Sequence, residues 1–245
     1  MPDIPHINLH NLPEIPAQSL LIDEAEALRY LRHPAPPDAK LAAALQEAAA
    51  SIRAAAAPRF VLHSFPIESH NPLKLTGTNL RLTGAAIEGL LAASPVCLLM
   101  AATLGAQADE LIRRSQLRDM ARALLLDAAA SCAIENLCDQ LQNQIQIRCT
   151  NNKAAQYRLT RRFSPGYGDL PLDTSAPLCA ALDTPRRIGL TVSRSGLLLP
   201  RKSVTAIIGL VPVTVPVGPG QNHDCSVCSM AETCPYRKSG QGCPQ

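Results

Sequence analysis

The sequence predicts an α+β protein: a single domain with a mainly antiparallel twisted sheet and flanking helices, followed by a Cys-rich C-terminal tail. Three observations carry this. Hydrophobic residues make up 47% of 245 residues, enough for one substantial core. Helical patterns and β-branched runs are mixed without strict βαβ alternation, which disfavours a parallel sheet. Beyond Val211 the composition turns to Pro and Gly and then to Cys. The expected organisation is an extended, Pro-rich arm over residues 1–19, a domain over 20–211, a Pro/Gly linker over 212–224 and a tail over 225–245.

The elements follow in order. Residues 20–31 place Leu21, Ala25, Leu28 and Leu31 near one helical face, and Pro34, Pro36 and Pro37 end the run. Residues 41–57 are Ala-rich and helical up to Pro58, and residues 59–65 have strand character. Thr83 is a candidate cap for a short helix ending near Ala93. Residues 96–103 read as a buried strand. Residues 106–114 read as a helix with acids early and arginines late, as the helix dipole favours. The longest helical pattern spans 119–147, followed by a connector over 151–160 and a turn-rich block over 162–172. A short helix over 176–182 and strands over 188–192 and 204–211 complete the domain.

Composition excludes several classes. With 3% aromatic residues and no Trp, there is little to stack on single-stranded bases, and a net charge of +3 with scattered Arg pairs makes no nucleic-acid stripe. No apolar run is long enough to span a bilayer, and the N-terminus carries no basic-then-apolar leader, so a cytoplasmic location is expected. Cys97, Cys132, Cys138, Cys149 and Cys179 are dispersed and read as small buried apolar residues. Cys132 and Cys138 fall on different sides of one helix. Glu135 and Asp139, one turn apart, read as an exposed helix face. His6, His10, His33, His63 and His70 show no ligand spacing.

Two segments carry chemistry. The first is Arg162-Phe163-Ser164-Pro165-Gly166-Tyr167-Gly168-Asp169-Leu170-Pro171. Its prolines and glycines fix an irregular backbone that another molecule can approach closely. Arg162 can bind a carboxylate bidentately, and Tyr167 offers a flat face with a hydroxyl. Such a loop suits an amino-acid-like ligand, and equally an ordinary structural turn with a surface Arg. The second is Cys225-x2-Cys228-x5-Cys234-x8-Cys243. Two thiolates at x2 spacing grip one metal from a tight turn and the later two complete four ligands, so zinc or a [4Fe-4S] cluster is expected.

The first segment resembles the Arg-Pro-Ala-Pro-Gly-Tyr signature of the activation domain of cobalamin-dependent methionine synthase, and its form with Gly168-Asp169 looks like that of stand-alone relatives. Ser193-Arg194-Ser195, Pro200 and Ser203-Val204 resemble that family's Thr-Glu-Ser, Pro and Ser-Val segments. The resemblance implies an S-adenosylmethionine (SAM) site in which Arg162 anchors the methionine carboxylate and Ser164, Pro165, Gly166 and Tyr167 line the pocket. It further implies reductive methylation of cob(II)alamin carried by a partner, a cobalamin-binding methionine synthase or related corrinoid protein, with the bond-making atom on that partner. Neither nucleic acid nor a membrane is an expected partner. Three departures stand against the pattern. Gln156 and no carboxylate precedes Arg162, Arg194 replaces a Glu, and the Cys-rich tail stands where the family has its C-terminal segment. An electron-transfer adaptor with a decayed SAM site is the alternative from another class.

Overall fold

The computed structural model describes residues 12–33, 35–151 and 156–216. The four tail cysteines therefore lie outside the described residues, as do residues 1–11 of the arm.

The chain alternates apolar runs that bury two faces with helices that bury one. β4 (Val96–Thr103) is the clearest case, since all eight of its residues are buried. Successive strand side chains point to opposite faces, so Leu98, Met100 and Ala102 enter one core while Cys97, Leu99 and Ala101 enter another. β1 (Arg59–His70) and β8 (Ser203–Pro212) pair antiparallel on either side of β4 over eight residue pairs each. β2 (Leu73–Leu75) and β3 (Arg81–Leu82) extend the sheet beyond β1, and β5 (Tyr157–Leu159) extends it beyond β8. The order is β3-β2-β1-β4-β8-β5, and every described pairing is antiparallel.

Helices cover both faces. On one lie α1 (Glu24–Tyr30), α2 (Ala39–Ala55), α4 (Ala106–Gln116) and α5 (Met120–Thr150). On the other lie α3 (Ala85–Leu91), α6 (Ser175–Leu182) and α7 (Thr184–Ile188). A two-stranded hairpin of β6 (Thr191–Val192) and β7 (Leu198–Leu199) precedes β8. Asp23, Asp38 and Asp119 cap α1, α2 and α5 through their side chains, each satisfying a backbone N–H that has no partner within its helix.

Several expectations shift. The first helix begins at Glu24 because Asp23 caps it, and before it Ile15 of the expected arm and Leu20 are buried in the larger core. The expected strand over 188–192 shortens to β6, because Pro185 enters the first turn of α7 and helix continues through Ile188. Thr83 does not cap α3. Its N-cap is Gly84, which makes no side-chain cap bond.

The five dispersed cysteines are free and buried. Cys132 belongs to a small cluster with Ala27, Leu28 and Leu45, whereas Cys138 enters the main core, so the two face different neighbours. Burial pushes the Cys132 thiol up to about 12 and the Cys149 thiol up to about 11, and raises Cys97 and Cys138 further still. The thiolate, not the thiol, is the form that attacks a thiol-directed reagent. In the native protein at neutral pH these five side chains are therefore expected to escape a charged thiol reagent and to react only on unfolding. Site-resolved mass spectrometry checks this, and rapid native labelling of Cys97 or Cys138 would contradict the packing.

Candidate functional site

The site lies where the free edge of the sheet meets α5. Thr160 and Phe163 both pair with β8: the Thr160 N–H donates to the Gly209 carbonyl at 2.9 Å, and Phe163 exchanges bonds with Ile207 at 3.0 and 2.8 Å. Two residues, 161 and 162, lie between these anchors, against the single residue Ile208 on β8. The segment thus carries one residue more than its partner, the count of a β-bulge, which redirects side chains at a strand edge. Phe163 goes into the core, where it is 6% exposed, and Arg162 goes toward α5.

α5 meets it with a polar stripe. Glu135, Asp139, Gln142 and Gln146 are spaced 4, 3 and 4 residues apart, which keeps them on one helical face. Gln146 covers the edge of β5: its amide N–H donates to the Tyr157 carbonyl and its amide oxygen accepts from the Leu159 N–H, each at 3.0 Å. One turn or more back, Gln142 Oε1 accepts from Arg162 Nη1 and Glu135 Oε2 accepts from Nη2, both at 3.1 Å. Asp139 Oδ1 pairs with Nη1 at 2.7 Å. The Arg162 side chain is 17% exposed. Burial works against its charge, but the hydrogen bond and charge of Asp139 and the charge of Glu135 act the other way, and its pKa lies above the ordinary value. Asp139 is exposed and Glu135 half-buried, and both are also the counter-charges of Arg162.

Arg162, Glu135 and Asp139 line an open cleft of about 870 Å³ with Ser164, Tyr167 and Asn143 among the other walls. That volume is in the range of small-molecule sites, ~300–1,000 Å³. A cavity of about 130 Å³ between α1, α2 and α5 is too small for such a ligand. Of the residues expected at the site, Arg162, Ser164 and Tyr167 line the cleft, Pro165 is buried behind them, and Gly166 is exposed without lining it. Gln156 is exposed before β5, and Arg194 is exposed at the β6–β7 turn. Neither lines the cleft.

The signature loop is tied down at three points. Gly166 and Gly168 take φ values of +89° and +55°, which admit a tight turn closed by the Gly166 N–H on the Leu170 carbonyl at 2.9 Å. Leu172 fills the space left by two glycines: a Cβ at Gly166 would come within 3.2 Å of its Cδ1, and one at Gly196 within 3.0 Å of its Cγ. The loop therefore packs on the hairpin that carries Ser193, Arg194 and Ser195. Asp169 provides the third tie. Its carboxylate accepts from the Ala85 N–H at 2.6 Å and the Ala86 N–H at 3.2 Å, so α3 is capped from a residue 84 positions away.

Tyr167 is 69% exposed at the cleft, and Leu172, Leu197 and Leu199 are exposed on the adjoining loop and hairpin. Among the described residues, no group of three or more His, Cys, Asp or Glu side chains is placed to hold a metal ion, and no helix is long and apolar enough to cross a membrane.

An antiparallel sheet covered on both faces, with an Arg-centred cleft at one edge, defines the class. Among solved structures, the crystal structure of the MetH reactivation domain bound to AdoHcy matches this fold with a TM-score of 0.54 and 14% identity, over 92% of this chain and 79% of that one. No protein-family model matches the chain, and no curated protein matches it.

The Asp169 cap gives a direct test. Asp169→Ala is expected to cost about 1 kcal/mol of folding stability, read as a lower denaturant midpoint. Thr83→Ala is expected to stay within about 0.5 kcal/mol of the parent. Equal losses in the two would return the cap to Thr83.

Proposed function

We propose that the cleft binds SAM and that the protein supports reductive reactivation of a corrinoid methyltransferase, a cobalamin-dependent methionine synthase in the first instance. The observation that carries this reading is Arg162: a guanidinium held in the wall of a cleft of suitable volume by groups from α5. The shared fold with a reactivation domain bound to AdoHcy supports it, as does the resemblance of the loop from Arg162 to Tyr167.

In this reading the ligand carboxylate binds Arg162 and its ammonium group binds Glu135. α5 thereby supplies the acid that the segment before Arg162 lacks. Ser164 and Tyr167 border the ligand, and Pro165 and Gly166 set the backbone that brings them there. A partner's cobalamin, reduced by one electron, would supply the cobalt nucleophile for the sulfonium methyl group, with S-adenosylhomocysteine as the leaving group. This chain's task is placement: holding the sulfonium so that its methyl faces outward past Tyr167. The apolar surface of Tyr167, Leu172 and Leu197 suits a partner that brings a broad, partly apolar group to the cleft mouth.

Isothermal titration with SAM tests the reading. Saturable binding is expected for the wild type, and Arg162→Ala is expected to weaken it at least tenfold, since a hydrogen bond to a charged group contributes ~1.5–3 kcal/mol. A folded wild-type protein that does not bind SAM would overturn it.

A second activity rests on the sequence of the tail. Cys225, Cys228, Cys234 and Cys243 form a four-thiolate set, and a [4Fe-4S] cluster held there would give the electron a route toward the corrinoid, whereas zinc would make the tail a structural clasp. Anaerobically purified protein is expected to carry metal that the double variant Cys225→Ser/Cys228→Ser loses. Iron with visible absorption that bleaches on reduction marks the cluster, and colourless zinc marks the clasp. A metal-bearing tail in a protein that does not bind SAM would favour an electron-transfer adaptor.

A further inference from the structure

Arg162 meets three groups of α5, and they are not equivalent. Glu135 and Gln142 each accept a hydrogen bond from the guanidinium. Asp139 meets Nη1 through one oxygen, at the shortest distance of the three, 2.7 Å. Its side chain is also the more open of the two acids, 54% exposed against 38% for Glu135. Asp139 is therefore the counter-charge nearer to water, and if it turns away Glu135 and Gln142 still hold the guanidinium in the cleft wall.

A ligand carboxylate makes the same demand on Arg162 that Asp139 makes now: one negative group on the open side of the guanidinium, within the cleft. Adding it without displacing Asp139 would gather three carboxylates around one cation, and like charges at that range repel strongly. Exchange removes the conflict, because the incoming carboxylate replaces the outgoing one on Nη1 and the number of carboxylates around Arg162 is unchanged.

We infer that Asp139 is a built-in competitor for the ligand carboxylate, occupying Arg162 in the empty cleft and lowering the affinity of the site for carboxylate-bearing ligands. The inference rests on the SAM reading above and adds a sign to it: an acid that touches the key arginine opposes binding. A site so arranged keeps Arg162 paired when empty and releases its product readily, since Asp139 returns as the product's carboxylate leaves.

The test compares wild type, Asp139→Ala and Arg162→Ala by titration with three probes: SAM, S-adenosylhomocysteine and 5′-methylthioadenosine, which lacks the amino-acid carboxylate. Asp139→Ala is expected to bind the first two about two- to fivefold more tightly, the scale of one partly exposed ion pair, and to leave 5′-methylthioadenosine unchanged. Asp139→Asn, which keeps the side-chain size, is expected to give a smaller gain, and circular dichroism confirms that each variant folds. Unchanged or weaker SAM binding by folded Asp139→Ala overturns the inference while Arg162-dependent binding by the wild type leaves the SAM reading standing. Equal tightening toward 5′-methylthioadenosine also overturns it, because the effect would then be a general loosening of the cleft. If neither wild type nor Asp139→Ala binds SAM, the SAM reading fails and the inference with it.

Discussion

A guanidinium withdrawn from water needs counter-charges, and among the described residues at this sheet edge α5 supplies them. Arg162 is 17% exposed, so its charge is affordable only because Glu135 and Asp139 stand opposite. That juxtaposition depends on two lengths being matched: the one-residue bulge between Thr160 and Phe163, and the 4-3-4 stripe along α5. The bulge in turn depends on β8, whose pairing with β4 is fixed by side chains buried on both faces of the sheet. The core thus reaches the cleft through one strand. Gln146 completes the link by satisfying the open edge of β5 with a helix side chain, so the edge that would otherwise invite another strand is closed.

The signature loop is held from the opposite side. Asp169 caps α3, Leu172 fits between Gly166 and Gly196, and Phe163 is buried. Of the loop, Arg162, Phe163, Ser164 and Tyr167 line the cleft, with Tyr167 the most open of them. A loop anchored at so many points presents its ligand-facing groups with little ordering left to do on binding.

Much of this was legible from local pattern. β4 is a continuous apolar run, α5 opens with an Asp cap, and the Pro/Gly spacing of residues 165–168 announces a rigid loop; all depend on neighbours within a few residues. What escaped depends on distant partners. The α3 cap comes from Asp169, not Thr83, because a carboxylate 84 residues away reaches the helix end. β2 and β3 are only three and two residues long, too short to show a period. Glu135 and Asp139 read as a solvated pair because the helix alone cannot reveal what faces it. The available signal was the longer stripe: Glu135, Asp139, Gln142 and Gln146 repeat at heptad spacing along one side of the helix, and a polar stripe so regular points to a polar partner.

In the proposed reading the protein's task is to place SAM, which asks for geometry more than for acid–base groups, and Arg162 is the anchor on which that placement rests. The most direct measurement is a crystal structure of the protein with S-adenosylhomocysteine. The account predicts the ligand in the cleft between α5 and the loop, its carboxylate on Arg162 and Asp139 turned away into solvent. A ligand bound elsewhere, with Arg162 still paired to Asp139, would contradict it.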